Sequence, residues 1–421
     1  MYSYFRLKPY CYFEKGKGNS CIYNLLDGTV MIVNNEEMCK LIEQCEQNKT
    51  LENITEVDRK FLNNLVDMGI GDFYKRPIYV EKLSVGIPTR LENTLPGNYE
   101  IPTVFIEISN TCNLDCIFCP ENDNTLFRKT GCKRWKLNGE PLSIQQWEQV
   151  IKQVYKLSCE RVFLIGGEPF LEFRKLKTIC SFLVQYGIKE IYIYTNGALI
   201  NNEIINFLKD YSIQLRVQIL GPDNAVYKKI TGLDNVETTV NANIQKLYRE
   251  NIPMDISCLV SRYNEEDIET LINKYKGYSL SGRVKLEFIY PVPENNHYSK
   301  KYRKRMYDKK KDLEGACLNV TKFTNVQKQH NCYANQIAIT ASGDILPCIM
   351  SRKFVIGNVK QYGIVEILKN SKYEYYRGIN KKVIDKCCNC ALKYACFDCR
   401  ALEYSATGKV LGMECGNMIV E

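Results

Sequence analysis

Three cysteines, Cys112, Cys116 and Cys119, follow one another at the spacing C-x3-C-x2-C, directly after the apolar run 104–108. Three thiolates in one short loop can bind three of the four irons of a [4Fe-4S] cluster, which ordinarily takes four cysteine ligands. The fourth iron is then left for a ligand that the protein does not supply. A zinc knuckle or three buried cysteines would give the same spacing, because short motifs often match by chance.

A second group of cysteines lies further along the chain, where nine of the 20 fall between residues 317 and 415. Seven of them follow a regular order with one glycine: Cys332-x10-Gly343-x4-Cys348, then Cys387-x2-Cys390-x5-Cys396-x2-Cys399, and last Cys415. No export signal is recognisable, so these thiols are expected to bind metal rather than to form disulfides. Zinc ribbons are an alternative, because C-x2-C pairs also suit tetrahedral zinc.

Six apolar runs with strand character precede this group, at 104–108, 161–165, 190–194, 215–220, 254–260 and 284–290, with amphipathic stretches between them. Six strand–helix repeats predict an α/β fold in which parallel strands form a partial, TIM-like (βα)6 barrel. Functional groups in such barrels lie at the carboxyl ends of strands. Besides the cysteine loop, the strand ends carry Gly166, Gly167, Glu168 and Pro169, then Thr195 and Asn196, and finally Asn264.

The cysteine loop and the Gly-Gly-Glu-Pro segment at 166–169 resemble the radical S-adenosylmethionine (SAM) superfamily. The resemblance implies that SAM chelates the open iron, and that an electron from the cluster cleaves SAM to a 5'-deoxyadenosyl radical. It further implies that 166–169 contacts the SAM amino group, that Thr195 and Asn196 line the SAM site, and that Asn264 reaches the cofactor. An aromatic residue such as Phe118 packs on adenine in relatives. Their Ser-Leu-Asp-Gly-like sequence is replaced here at 218–221, so Gln218 receives no role.

The cysteine-rich tail resembles the SPASM extension of radical SAM enzymes, except that the interval before Cys399 is one residue shorter than in the family. The resemblance implies two auxiliary [4Fe-4S] clusters. One would be held by Cys387, Cys390, Cys396 and Cys415, and the other by Cys332, Cys348 and Cys399, with Cys317 as the nearest candidate for its fourth ligand. If Cys317 is not used, that cluster keeps an open iron for a substrate thiolate. Cys388 could compete with Cys387, which leaves the pairing open.

The amino-terminal 95 residues begin with four short aromatic and β-branched runs, with a hairpin turn signal at Asp27 and Gly28. Amphipathic helices are expected after residue 35 and from Val57. Three strands followed by about three helices predict a winged-helix-like α+β domain. It is similar to the recognition element of enzymes that modify ribosomally made peptides, where a leader peptide adds as a strand to the sheet edge. A DNA-binding winged helix or a structural cap is the alternative.

Together these resemblances divide the chain into a leader-recognition domain at 1–95, a radical SAM barrel at 96–311 and a SPASM domain at 312–421. They imply a peptide maturase that removes hydrogen from a precursor peptide and closes a thioether, carbon–carbon or carbon–oxygen bond. The partners would be that precursor with its leader and an electron donor resembling flavodoxin or ferredoxin. The alternatives are a peptide epimerase, a sulfatase-maturing enzyme, which Ile349 disfavours because the family has aspartate there, and a non-enzymatic zinc-rich adaptor.

Composition adds weaker constraints. A net charge of +9 would suit nucleic acid or an acidic peptide, but solvated surface lysines explain it equally well, and the basic stretch 300–311 reads as a linker or helix face. Neither a membrane span nor a signal peptide is recognisable, so we expect a cytoplasmic protein with no membrane and no nucleic-acid partner. With only His297 and His330, a histidine-based mechanism is disfavoured. Asp398 and Glu403 lie near cluster cysteines, but the sequence identifies neither of them as the general base.

Overall fold

A computed structural model describes residues 3–18, 20–84, 100–119, 139–289, 297–302, 318–396 and 398–413. Two of the predicted auxiliary-cluster ligands, Cys317 and Cys415, lie outside the described residues, as does most of the basic stretch 300–311.

The amino-terminal region contains five strands and two helices within residues 3–84: β1 (Tyr4–Leu7), β2 (Cys11–Lys15), β3 (Ser20–Asn24), β4 (Val30–Ile32), α1 (Glu36–Glu46), α2 (Glu56–Asp67) and β5 (Gly71–Tyr74). Strands β2, β3 and β4 form an antiparallel sheet, while β5 returns to pair with β1. The predicted four runs are strands and the two predicted helices are present. The pairing of β5 with β1 was not predicted, and a third helix is not seen within residues 3–84.

The two helices form where the sequence supplies caps and an apolar face. Asn35 accepts hydrogen bonds from the first turn of α1, and Thr55 and Asp58 make a reciprocal capping box on α2. The buried faces of both helices, Ile42 and Leu62 among them, pack with Phe5 in one apolar cluster. The amino-terminal region therefore has a core of its own.

The barrel consists of six neighbouring parallel strands in sequence order, as predicted: β6 (Thr103–Glu107), β7 (Arg161–Ile165), β8 (Glu190–Thr195), β9 (Gln214–Ile219), β10 (Met254–Val260) and β11 (Lys285–Phe288). Between them lie α3 (Ile144–Lys156), α4 (Phe173–Gln185), α5 (Asn202–Asp210), α6 (Asn224–Thr231), α7 (Val236–Arg249) and α8 (Ile268–Tyr275). Apolar stripes on these helices, such as Trp147 and Val154 of α3, cover one face of the sheet.

The carboxyl-terminal region continues the barrel sheet. Strand β12 (Gln336–Ile339) pairs in parallel with β6, and β13 (Asp344–Leu346) and β14 (Gly357–Asn358) extend it antiparallel to nine strands. The helices of this region are α9 (Val320–Lys328), α10 (Ile364–Leu368), α11 (Ser371–Gly378), α12 (Asp385–Cys388) and α13 (Arg400–Thr407). The attachment of β12 to β6 was not predicted, and it fixes the start of the cysteine-rich tail against the strand that precedes Cys112.

The amino-terminal sheet packs directly on the cysteine-rich tail. The ring of Tyr23 in β3 lies 5.1 Å from that of Phe323 and 5.7 Å from that of Tyr394, measured between centroids. The backbone N–H of Lys17 donates to the carbonyl of Asn389 at 2.7 Å, and the Tyr23 hydroxyl donates to the carbonyl of Ala391. The sheet therefore holds both neighbours of Cys390.

A search of the described helices for a membrane span finds every one too short or too polar to cross a bilayer.

Candidate active site

The cysteine loop lies against the Gly-Gly-Glu-Pro segment through backbone contacts. Gly167 N–H donates to the Ser109 carbonyl at 3.0 Å, and Glu168 N–H donates to the Thr111 carbonyl at 2.7 Å. A Cβ atom on Gly167 would lie 2.0 Å from the Thr111 carbonyl oxygen, and one on Gly166 would lie 2.6 Å from that of Ser109. Glycine is therefore required at both positions, because only a residue without a side chain lets the two loops approach so closely.

Glu168 ties the second and third strand ends together. Its side chain is fully buried, and its carboxylate accepts hydrogen bonds from the Thr195 hydroxyl at 2.9 and 3.0 Å and from Asn196 N–H at 2.8 Å. It also accepts from Phe170 N–H at 3.2 Å, at the start of a 3-10 turn that begins with Pro169. Sequence reasoning gave Glu168 only a SAM contact and missed this structural role.

The third strand end reaches back to the cysteine loop. The Asn196 side-chain amide donates to Asn113 Oδ1 at 2.8 Å and lies 3.9 Å from Cys112 Sγ. Leu114 N–H also points at this sulfur, at 3.5 Å. N–H groups directed at a cysteine sulfur suit a cluster-ligating thiolate, since such hydrogen bonds stabilise its negative charge. The cysteine loop, the glycine pair and the end of the third strand therefore form one site. Its cysteine thiols and N–H donors, and the close approach of its two backbone loops, fit a [4Fe-4S] cluster with a chelated SAM.

Two other predicted SAM-site residues are deeply buried. Phe118 is 1% exposed within the barrel core, where it packs with apolar residues, and its contact with adenine stays a prediction. Asn264 is fully buried, and its amide donates to the carbonyls of Leu220 at 2.7 Å and Leu259 at 2.8 Å while its oxygen accepts from Ser261 N–H. These bonds to the backbone close the loop after β10, and the contact of Asn264 with the cofactor stays a prediction.

Polar side chains that were not predicted connect the cysteine segments of the tail. His330 Nδ1 accepts from Cys332 N–H at 3.2 Å, and His330 Nε2 lies 3.8 Å from Asp398 Oδ1. Asp398 in turn accepts from the fully buried Arg400 at 2.6 Å. Burial opposes ionisation of Asp398, but the neighbouring His330 and the positive charges of Lys381 and Arg400 hold its pKa well below the usual range. Asp398 is thus a structural anion here.

The tail cysteines themselves are buried or half-buried: Cys332, Cys348, Cys387, Cys390, Cys396 and Cys399. The Cys388 thiol donates to the Asp385 carbonyl at 3.2 Å, which favours the buried Cys387 as the ligand of the pair. Within the described ranges no three Cys, His, Asp or Glu side chains converge as they would around one metal ion. In a [4Fe-4S] cluster each thiolate binds a different iron, so the ligands lie further apart than those of a single metal ion.

Other cysteines behave as core residues. Burial raises the pKa of Cys11, Cys21, Cys45, Cys159 and Cys258 to about 12. A thiol with such a pKa stays protonated at neutral pH and is a poor metal ligand. These five cysteines therefore serve as packing residues of the core.

Lys381 places a positive charge beside one predicted ligand. It is 6% exposed, and its Nζ lies 3.4 Å from Cys396 Sγ. A nearby cation stabilises the reduced, more negative form of a cluster. We therefore expect Lys381→Met to make the cluster held by Cys396 harder to reduce, as measured by a redox titration followed by electron paramagnetic resonance (EPR). The exposed neighbour Lys382→Met is the matched control; equal potentials in the two variants would contradict the expectation.

Comparison with known families agrees with this geometry. The model of the Radical SAM superfamily matches residues 106–275, and SPASM, an iron-sulfur cluster-binding domain, matches residues 332–391. The chain thus contains a radical SAM domain and a SPASM domain and is an enzyme, and its cofactors are SAM and [4Fe-4S] clusters. The predicted fold class, an α/β barrel followed by a SPASM domain, is confirmed. A zinc-rich, non-enzymatic adaptor is not supported.

Similar proteins include a probable GTP 3',8-cyclase of Sulfolobus acidocaldarius, 29% identical over 198 residues, or 46% of this chain and 58% of the relative. The GTP 3',8-cyclase of Alkaliphilus metalliredigens is 25% identical over 272 residues, or 58% of this chain and 80% of the relative. Among solved structures, anSMEcpe with bound AdoMet has a TM-score of 0.54 at 17% identity, covering 74% of this chain and 92% of that one. Streptococcus suis SuiB bound to S-adenosylmethionine has a TM-score of 0.52 at 16% identity, covering 94% and 96%.

Proposed function

We propose that this enzyme modifies a ribosomally made precursor peptide whose leader docks on the amino-terminal sheet. The observation that carries the proposal is the open edge of this sheet, on a unit that packs directly beside the tail cysteines. The relatives add support: anSMEcpe has been solved with AdoMet and a Kp18Cys peptide, so a protein of this fold holds a peptide beside SAM.

One edge of this sheet is β4 and the other is β2; each pairs with β3 on one side only within the described residues, and we assign the leader to β4. Val33 N–H donates to the Ser20 carbonyl at 2.8 Å, and Asn24 N–H donates to the Thr29 carbonyl at 2.9 Å. Because antiparallel pairing alternates, the backbone groups of Val30 and Ile32 point away from β3. Such an edge is a template for an added strand, and it supports leader binding by β-augmentation.

In this proposal, different residues of the chain have different roles in the reaction. Cys112, Cys116 and Cys119 hold the cluster with the open iron, and the glycine pair with Glu168 shapes the SAM cradle. Bound SAM and the reduced cluster supply a carbon radical able to remove hydrogen from an unactivated carbon. The leader site raises the effective concentration of the peptide at the barrel mouth.

In the same proposal, the tail cysteines hold two auxiliary clusters. Cys387, Cys390, Cys396 and Cys415 bind one, and Cys332, Cys348 and Cys399, with Cys317, bind the other. Clusters held by these cysteines would accept the surplus electron released when a bond closes, and a flavodoxin- or ferredoxin-like protein would exchange electrons with the enzyme. The packing of the amino-terminal sheet on both neighbours of Cys390 supports a route from leader site to cluster.

Ile32→Pro tests the leader site. Proline removes the outward-facing N–H of β4 without breaking its ladder to β3, so we expect leader-peptide affinity to fall about tenfold or more. Fluorescence anisotropy with a labelled leader measures the effect. Val57→Pro is the control, because Val57 lies in the first turn of α2, where an N–H has no helical partner. Equal affinity in both variants would place the leader elsewhere.

A direct test of the reaction is mass spectrometry of the peptide encoded next to this gene, after incubation with the reduced enzyme and SAM. A loss of two hydrogens supports a crosslink. A mass that is unchanged in ordinary water, with uptake of deuterium when the reaction is run in heavy water, supports epimerisation. A GTP 3',8-cyclase activity, suggested by the sequence relatives, would instead appear as consumption of GTP. GTP turnover with an untouched peptide would overturn the proposal.

A further inference from the structure

One face of the barrel sheet carries several polar side chains. Strand register sets Tyr194 beside Arg216 and Arg216 beside Asp255, and it sets Gln218 beside Ser257. Directly paired residues of parallel strands project from the same face, so these side chains share one face. The alternate residues of the same strands, such as Val217 and Ile256, belong to the apolar core.

Three atoms on this polar face have no hydrogen-bond partner within the described residues: Arg216 Nε on β9, Ser257 Oγ on β10 and Glu287 Oε1 on β11. The side chains of Ser257 and Glu287 are 0% and 6% exposed. The other carboxylate oxygen of Glu287 accepts only a long bond, 3.4 Å from Gln218 Nε2. Native proteins rarely leave buried polar atoms unsatisfied, so each one needs an explanation.

No ion pair within the described part of the chain includes Glu287. Arg216 lies on the same face but forms an ion pair with Asp255 at 3.0 Å, and the second buried barrel glutamate, Glu107, is paired with Arg352. A buried carboxylate without a cation is costly unless a partner arrives from outside the chain. Since an ionised carboxylate only accepts hydrogen bonds, that partner must donate them.

We infer that Glu287, together with Ser257, binds an N–H donor of the substrate peptide inside the barrel, either a cationic amine or guanidinium or a neutral amide. This inference rests on the proposed function and names the chemistry that its substrate presents. The position of Glu287 on the last barrel strand, near its carboxyl end, agrees with where functional groups lie in such barrels. Ser257 Oγ and Glu287 Oε1 then form their hydrogen bonds with the substrate.

The test compares Glu287→Leu and Glu287→Gln with Glu190→Leu in the iron-loaded enzyme. Glu190 is the matched control, because it is also a strand glutamate but is already paired with Arg161 at 2.6 Å, near the amino end of β8. Turnover of the neighbouring precursor peptide is followed by mass spectrometry. The Tm without peptide and the iron content report on the fold.

We expect Glu287→Leu to lower kcat/KM for the peptide about 100-fold or more, with unchanged iron and a Tm at or above that of the wild type. A Tm that does not fall separates a substrate contact from a structural residue, because removing an unsatisfied buried carboxylate relieves a cost. Glu190→Leu should leave turnover unchanged. If Glu287→Gln matches the leucine variant, the donor is cationic; if it retains most activity, the donor is a neutral amide.

Unchanged turnover in Glu287→Leu, or a lower Tm with loss of iron, would overturn the inference. If the wild type cleaves SAM but leaves the peptide untouched, the proposed function fails instead, which keeps the two failures distinguishable.

Discussion

Replacing Cys112, Cys116 or Cys119 with alanine should reduce 5'-deoxyadenosine formation to the level seen without enzyme. Each of the three thiolates is predicted to bind a different iron, so the loss of one removes the cluster that must both chelate SAM and deliver the electron. The measurement is chromatography of the nucleoside products after anaerobic reduction in the presence of SAM. Iron content should fall by about four atoms per chain, while the auxiliary clusters remain.

Cys159→Ala is the control for these variants. Its thiol is buried and has a pKa of about 12, so it serves packing rather than metal binding. We expect SAM cleavage at the wild-type rate and a loss of stability of about 1 kcal/mol. Continued SAM cleavage in the three loop variants would refute the assignment of the cluster ligands.

Gly167→Ala should have the second large effect. A methyl group there would lie 2.0 Å from the Thr111 carbonyl oxygen, which is backbone and has no freedom to rotate away. The glycine segment and the cysteine loop would have to separate, and displacements of about 1 Å at a reacting centre can cost about 100-fold in rate. We therefore expect SAM cleavage to fall by at least that factor, with iron content preserved because no ligand is changed.

Gly277→Ala supplies the comparison, since a Cβ atom there meets no heavy atom within 4 Å. Its SAM cleavage should equal that of the wild type. A Gly167→Ala enzyme that cleaves SAM as fast as Gly277→Ala would show that the two loops do not form the SAM site together.

The barrel could be predicted from the sequence because short, contiguous stretches of sequence encode each of its strands and helices. Each strand is a short apolar run, each is followed by an amphipathic stretch, and the chemical motifs fall where parallel strands end. The pairing of β12 with β6 and of β5 with β1 could not be predicted, because register between segments far apart in sequence depends on the assembled core. No local pattern in residues 336–339 indicates which edge strand they will join.

The candidate site could likewise be predicted from the sequence only in part. Spacing identified the cysteines and the glycine pair, since both motifs are contiguous. The approach of His330 to Asp398 gave no such signal, because these two residues lie in separate segments. Glu287 was missed for another reason: a single acidic residue in a β-strand pattern is ordinarily taken for a solvent-facing position, and only the folded barrel reveals that it is buried.

The central claim is that one [4Fe-4S] cluster has an iron without a protein ligand, to which SAM binds. EPR of the anaerobically reconstituted, dithionite-reduced enzyme, recorded with and without SAM, tests this claim most directly. We expect SAM to alter the spectrum of one cluster, and we expect this alteration to be absent from Cys112→Ala. A spectrum that SAM leaves unchanged in the wild type would contradict it.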